Sequence, residues 1–143
     1  MLVNRVLNLY QYVAEDKGIQ FHFSAEDDLK IDVDRSRMGQ ALSNLIDNAI
    51  KYSPDNSPIH IEAFKEDDRV VIRVKDRGIG IPEEELPRIY DRLFRGKQVR
   101  TQRGLGLGLN LVKAIVVAHE GRIEISSEPG KGSIFTITLP SKK

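Results

Sequence analysis

The chain has 143 residues, 40% of them hydrophobic and 30% charged, and its 22 basic and 21 acidic side chains leave a net charge of +1. That suits a single domain over residues 1–143 with a real core, and the charge balance excludes a global surface for nucleic acid. The absence of cysteine excludes a disulfide frame and a thiolate metal site and fits a reducing compartment; no apolar run approaches membrane-spanning length, and Met1–Tyr10 does not read as a signal peptide.

Leu2–Asp16 places Val3, Val6, Leu7, Tyr10 and Val13 at helical spacing, and the pattern ends at Lys17-Gly18. Ile19–Ser24 and Leu29–Val33 alternate apolar and polar around a turn-like Ala25–Asp28, which predicts a short hairpin. Asp34 is placed to cap a helix over about Ser36–Tyr52, followed by a proline-bearing loop, Tyr52–Pro58. Strands are predicted over Ile59–Lys65 and Arg69–Asp76, joined by a polar turn at Glu66–Asp68. Pro82–Phe94 opens with Pro and three Glu, a suitable first turn for a short helix, and Arg95–Arg103 reads as an apolar-poor loop. Leu105–His119 is helical and ended by Gly121; Arg122–Ser127 and Ser133–Leu139 are strands around the turn Glu128–Gly132. Interleaved strands and helices, with hairpins at both ends, predict an α/β (α+β) two-layer sandwich: a mixed, mainly antiparallel sheet of about five strands, covered on one face by about three helices.

The helix ending at Tyr52 is the chemically unusual one. Met38, Leu42, Leu45, Ala49 and Ile50 form an apolar seam, and beside it Asn44, Asn48, Lys51 and Tyr52 fall within roughly one quadrant. Asparagine competes for backbone hydrogen bonds and is a poor choice for a helix interior, so two of them one turn apart at the edge of a buried face suggest a ligand. A solvated face with incidental asparagines accounts for the same pattern.

Two glycine motifs follow. Asp76-Arg-Gly78-Ile-Gly80 sits where a strand breaks into a loop; its carboxylate can accept from an amino group while the glycines let backbone approach a flat ring. A strand-ending turn explains the motif as well. Gly104-Leu105-Gly106-Leu107-Gly108-Leu109 opens a helix after a polar loop, which leaves backbone N–H groups at the positive end of a helix dipole to cradle phosphates. It lacks the Lys-Ser/Thr ending of a Walker loop and does not follow a strand as a dinucleotide fingerprint does, and a glycine-rich hinge is the other reading. Between the motifs lie Arg92, Arg95, Lys97, Arg100 and Arg103, a basic stretch able to close over a nucleotide and screen its charge.

Together these stretches resemble the ATP-binding catalytic domain of two-component sensor histidine kinases, in the superfamily shared with DNA gyrase, the large heat-shock chaperones and mismatch-repair ATPases. Asn44–Tyr52 is similar to the family's N box, Asp76–Gly80 to its G1 box, Gly104–Leu109 to its G2 box, and Gly121–Pro140 to its C-terminal hairpin. The likeness covers about Asp34–Pro140 and implies a Bergerat-type ATP fold. It further implies ATP and Mg²⁺ as cofactors, with Asn48 offering its carboxamide oxygen to the metal, a hard cation. Asn44 would support the metal and phosphate region, Lys51 would contact phosphates and Tyr52 would pack on the adenine or ribose. Asp76 would accept from the adenine amino group. Gly78 and Gly80, with the neighbouring Ile81, would shape the adenine pocket; Gly104, Leu105, Gly106, Leu107, Gly108 and Leu109 would hold the triphosphate under a lid. The lid motif departs from the family's Phe-x-x-Phe: the chain reads Tyr90-Asp-Arg92-Leu93-Phe94, so Tyr90 and Phe94, with Arg92, Arg95 and Arg103, are its candidate lid residues. Leu105 stands where a Thr or Ser is frequent, so a hydroxyl contact to phosphate is absent.

The expected reaction is transfer of the γ-phosphoryl group of ATP to a histidine on a separate dimerisation helix. His22 and His60 fall in strands and His119 closes a helix, so none has the acidic helical context of a phosphoacceptor, and the acceptor helices are expected upstream of Met1. The resemblance implies those dimerisation helices and a response regulator as partners, a cytoplasmic location, no nucleic acid, no membrane contact by this domain, and a monomer in isolation. Rival readings are an ATP-hydrolysing clamp of the same superfamily, an anti-sigma-type serine kinase, and a non-catalytic nucleotide-sensing module. Hydrolysing members place a Glu one turn before the metal-binding Asn, where this chain has Asn44, an amide that cannot take a proton from water.

Overall fold

A computed structural model describes residues 2–26, 33–78, 105–128 and 130–140. The elements in chain order are α1 (Leu2–Leu9), α2 (Gln11–Asp16), β1 (Gln20–Ala25), α3 (Arg35–Tyr52), β2 (Pro58–Glu66), β3 (Arg69–Asp76), α4 (Leu105–Ala118), β4 (Arg122–Glu128) and β5 (Gly132–Pro140). The strands form one sheet in the order β1-β2-β3-β5-β4. Only β1–β2 is parallel among these pairs; β2–β3, β3–β5 and β5–β4 are antiparallel. The predicted mixed, mainly antiparallel five-stranded sheet is therefore what the chain forms.

Two expectations need correction, and one meets an unforeseen partner. The helix predicted over Leu2–Asp16 is broken at Tyr10, whose amide is shared between Val6 and Leu7 carbonyls at 3.3 and 3.2 Å, and α2 starts anew beyond it. The predicted hairpin partner of the first strand lies almost wholly outside the described residues, and its one described residue, Val33, is in no strand; on its described side β1 runs parallel to β2, His22 opposite His60, a pairing not predicted. Parallel neighbours require a crossover, and here α3 supplies it. At the end of α4 the left-handed residue is Glu120 (φ 61°), not Gly121. Gly121 is needed for a different reason, since a Cβ there would sit 2.5 Å from the Thr138 carbonyl oxygen and 2.7 Å from Leu139 Cδ2. The predicted strand residues 29–32, helix 82–94 and basic loop 95–103 lie outside the described residues.

Alternation along the strands sends one face to the core. Ile59, Ile61 and Ala63 of β2, Val70, Ile72 and Val74 of β3, and Phe135, Ile137 and Leu139 of β5 are buried. Helical spacing meets them from the other side: Met38, Leu42, Leu45, Ile46 and Ile50 of α3, Leu109, Val112, Ile115 and Val116 of α4, and Val3, Val6 and Leu7 of α1. The opposite sheet face carries His22 stacked on His60 with centroids 4.9 Å apart, and the Arg73 guanidinium 5.1 Å above the Phe64 ring. Helices thus cover one face of a sheet, as an α/β sandwich requires.

Candidate functional site

The site is built around α3, and both ends of that helix are fixed by side chains. At its start, the Asp34 carboxylate accepts from the Arg37 amide at 3.0 Å, satisfying one of the orphan donors of the first turn. The Asp34 amide donates to His119 Nε2 at 3.0 Å, and His119 Nδ1 lies 2.8 Å from the Ile115 carbonyl oxygen. A carbonyl only accepts, so the imidazole carries its proton on Nδ1. At the far end the chain turns extended at Ser53, ahead of Pro54, where a helical conformation is disfavoured. Ser53 Oγ donates back to Ala49 O at 2.6 Å. The last carbonyls are gathered by Lys17 from 33 to 36 residues away: its Nζ donates to Ile50 O at 2.8 Å, Lys51 O at 3.4 Å and Ser53 O at 2.7 Å. A cation at the negative end of the helix dipole is favourable in its own right.

Within this frame the polar stripe is graded. Asn48 is 5% exposed and belongs to the buried face itself, whereas Asn44, Lys51 and Tyr52 are half-buried. Burial at this level excludes a solvated asparagine at position 48. Its side chain forms no hydrogen bond among the described residues, and Nδ2 is sealed from solvent without a partner. A buried carboxamide left unbonded is costly unless something else bonds to it. Lys51 instead pairs with Asp47 one turn back, Nζ to Oδ2 2.9 Å, and Tyr52 packs against the core. The Asp47 charge reaches further, to Tyr10, whose phenol is pushed up first by burial and then by that carboxylate.

Asp76 ends β3 and is 5% exposed. Its Oδ1 accepts from the Gly78 amide at 2.8 Å and from the Ser133 amide at 3.3 Å. Burial holds its carboxyl above the ordinary carboxylate range, and the two amides pull in the other direction. Gly78 is obligatory: a Cβ would stand 2.1 Å from the Tyr52 carbonyl oxygen, so the end of α3 abuts the turn after β3. Gly132 performs the same service from β5, where φ is +113° and a Cβ would meet the Asp76 carbonyl oxygen at 2.2 Å. Ser133 and Gly132 escaped sequence reading because they touch Asp76 only through backbone.

The glycine motif before Leu109 opens α4, which starts at Leu105 with Gly106 and Gly108 in its first turn. Intrahelical hydrogen bonds cannot use the amides of the first three helical residues, so those of 105–107 are available to an anion. The Asp34–His119 bond ties the start of α3 to the end of α4, and the two helices pack together, so they run in opposite directions. Fourteen residues of α4 span about 21 Å at 1.5 Å each, which brings its first turn level with roughly residue 48 of α3. Asn48, Tyr52, Asp76, Gly78 and the start of α4 therefore lie at one end of the helical layer. Gly80, Ile81, Gly104 and the lid candidates Tyr90, Arg92, Phe94, Arg95 and Arg103 lie outside the described residues.

The arrangement fits a nucleotide and its metal on chemistry alone. A buried carboxamide carries a neutral oxygen that suits a hard cation, helix amides suit phosphate, and a buried carboxylate beside glycine backbone suits an exocyclic amine. Among the described residues, no three His, Cys, Asp or Glu side chains cluster as a metal site of their own, so any cation held here would take most of its ligands from elsewhere.

The chain is similar to known proteins along most of its length. Residues 33–143 match the family described as histidine kinase-, DNA gyrase B- and HSP90-like ATPase. The sensor-like histidine kinase SenX3 of Mycobacterium tuberculosis is 37% identical over 142 residues, 98% of this chain and 35% of SenX3, so the chain spans about a third of that curated relative. The nucleotide-free catalytic domain of histidine kinase ThkA superposes with a TM-score of 0.86 at 30% identity, covering 99% of this chain and 93% of that one. Full-length ShkA in complex with AMPPNP gives a TM-score of 0.86 at 27% identity, over 99% of this chain and 30% of ShkA.

Proposed function

Because the chain belongs to the histidine kinase-, DNA gyrase B- and HSP90-like ATPase family, we propose that it is the catalytic domain of a two-component sensor histidine kinase, which binds Mg-ATP and delivers the γ-phosphoryl group to a histidine on separate dimerisation helices. The observation that carries this reading is the pairing, at one end of the helical layer, of a buried Asn48 whose Nδ2 has no partner with a buried carboxylate at Asp76. In this reading Asp76 accepts from the adenine amino group, and Gly78 and Gly80 let the ring approach. Gly104, Leu105, Gly106 and Leu107 present backbone amides to the phosphates, with Gly108 and Leu109 completing the turn that holds them. Asn48 offers Oδ1 to Mg²⁺, supported by Asn44, and Lys51 leaves Asp47 for a phosphate oxygen. Mg²⁺, when bound, neutralises charge on the phosphates; the protein's share is positioning and electrostatics, with no covalent role for its side chains.

Asn44 separates this reading from ATP hydrolysis, since an amide cannot act as the base for an attacking water. The half-exposed pair His22–His60 and the doubly bonded His119 are structural in this reading, so the phosphoacceptor is supplied by another domain. Relatives are larger sensor kinases, and among the described residues no helix is long and apolar enough to cross a membrane. The domain would act on the cytoplasmic side as one unit of such a kinase, with a response regulator downstream. The test mixes the purified chain with Mg-ATP and a separately made acceptor-helix domain. Acid-labile phosphate on the acceptor is expected; its absence, with ATP bound, would reduce the chain to a nucleotide-sensing module.

A further inference from the structure

Lys17 lies outside every glycine and asparagine motif, yet it holds more backbone of the site-bearing helix than any other described side chain. Three donors is the full capacity of an ammonium, and here all go to carbonyls of a single turn: Ile50, Lys51 and Ser53. Two further contacts fasten the same strip of chain to the end of α2. The Lys17 carbonyl accepts from the Asn56 amide at 2.8 Å, and Gly18, at φ +70°, lies so close to Asn56 that a Cβ would stand 2.1 Å from its Oδ1. The clamped turn is the one whose Tyr52 carbonyl oxygen presses on Gly78, whose amide in turn holds the Asp76 carboxylate. A path of direct contacts therefore runs from the Lys17 ammonium, through the last turn of α3, to the carboxylate assigned to adenine.

We propose that Lys17 is a positioning residue for nucleotide binding: by fixing the last turn of α3 it sets Asn48, Lys51 and Tyr52 in register with the Asp76–Gly78 corner. Local bonds do little of this work: of the three acceptors, only Ile50 O also has a backbone donor among the described residues, the Ser53 amide at a long 3.4 Å, because the last carbonyls of a helix lack intrahelical donors. Without the ammonium the end of that turn is left to the two Ser53 bonds, to Ala49 O and Ile50 O, and a small shift at Tyr52 O is felt at once by Gly78, which has no spare room. The inference rests on the ATP-site reading above and adds a residue that touches neither ATP nor metal.

The test measures Mg-ATP affinity by calorimetry at about 10 °C for wild type, Lys17→Met, Lys17→Arg and Ile137→Ala, with circular dichroism and melting curves for each. Ile137 is a core residue of β5, so its truncation loosens the fold without touching the clamp. Lys17→Met is expected to bind Mg-ATP about tenfold more weakly while still folded; Lys17→Arg regains most of that loss, and Ile137→Ala keeps wild-type affinity despite a lower Tm. If Lys17→Met fails to fold, Lys17→Gln, which keeps one donor, takes its place with an expected three- to tenfold loss. A folded Lys17 variant that binds like wild type overturns the proposal and leaves Lys17 a stability residue. Equal weakening in Ile137→Ala overturns it too, by showing that any loosening suffices. Failure of wild type to bind ATP at all is a different result, which removes the functional reading and this inference with it.

Discussion

Asn48 and Asp76 are equally hidden, each 5% exposed, yet the protein treats them in opposite ways. The Asp76 carboxylate is received by two backbone amides, so its position is set before any ligand arrives. The Asn48 carboxamide receives no described hydrogen bond, and one of its atoms is sealed off without a partner. Burial of a polar group without compensation costs about 1–3 kcal/mol, so the second arrangement is sustained by something other than folding. The contrast teaches which half of the site is preformed and which half is completed by what binds.

The largest expected effect breaks the unsatisfied half. Asn48→Ala should lower Mg-ATP-dependent phosphotransfer by about a hundredfold or more, on the order of 3 kcal/mol in the transition state, while the apo protein melts within a degree or two of wild type or slightly above it. A time course of acceptor labelling checks this. Normal transfer by a well-folded Asn48→Ala protein would remove the residue from the metal site.

Asp76→Asn sharpens the other half. It keeps an oxygen for the Gly78 and Ser133 amides but presents an amide where adenine's amino group needs an acceptor, so ATP affinity should fall by about 1–3 kcal/mol by calorimetry. Its pH signature has a definite sign. The folded carboxyl is raised above its unfolded value, so the contribution from its proton is full at acid pH and lost as pH rises through the raised value. Above that point the buried charge is a standing cost to the apo fold. Urea titrations from pH 4 to 8 should show Asp76→Asn equal to or more stable than wild type at neutral pH, with that part of the slope gone. A less stable variant at pH 7 would mean that the charged form is favoured by the fold.

Gly78→Ala tests the contact between the two halves. Its Cβ must displace the Tyr52 carbonyl, and overpacking of this kind costs about 1–3 kcal/mol, so both Tm and ATP affinity should drop together. The smallest effect belongs to Asp47→Ala, which removes the Lys51 ion pair: a half-exposed i,i+4 pair contributes about 0.3–0.5 kcal/mol, so stability should barely move. ATP affinity should stay the same or rise, because Lys51 no longer has to leave a carboxylate.

Much of this was legible in the residues. The apolar seam of α3, the Asp34 cap, the strand Arg69–Asp76 and the helix opening at the second glycine motif all rest on local rules of periodicity, capping and glycine placement, and the chain obeys them. What escaped reading is what acts across distance. Lys17 looks like a helix-ending lysine until its three acceptors more than thirty residues away are seen. Ser133 shows no chemistry in its side chain that points to Asp76, because its amide makes the contact. The alternation of Gln20–Ala25 announces a strand, but nothing local says that its partner lies beyond α3. Glu120 shows the converse: Gly121 drew the eye as the helix stop, while the neighbouring residue takes the left-handed turn and the glycine is reserved for close approach to β5.

The place of β1 and Lys17 has a practical corollary for anyone trimming this protein. A fragment starting at Val33 would retain every asparagine and glycine described for the nucleotide, yet it would strip the parallel partner from β2 and remove Val3, Val6 and Leu7 from the apolar interior. It would also leave the terminal carbonyls of α3 facing water. Such a fragment keeps the residues proposed for recognition without the scaffold that holds them, and it should express as an aggregation-prone chain with an exposed strand edge rather than as a smaller working enzyme.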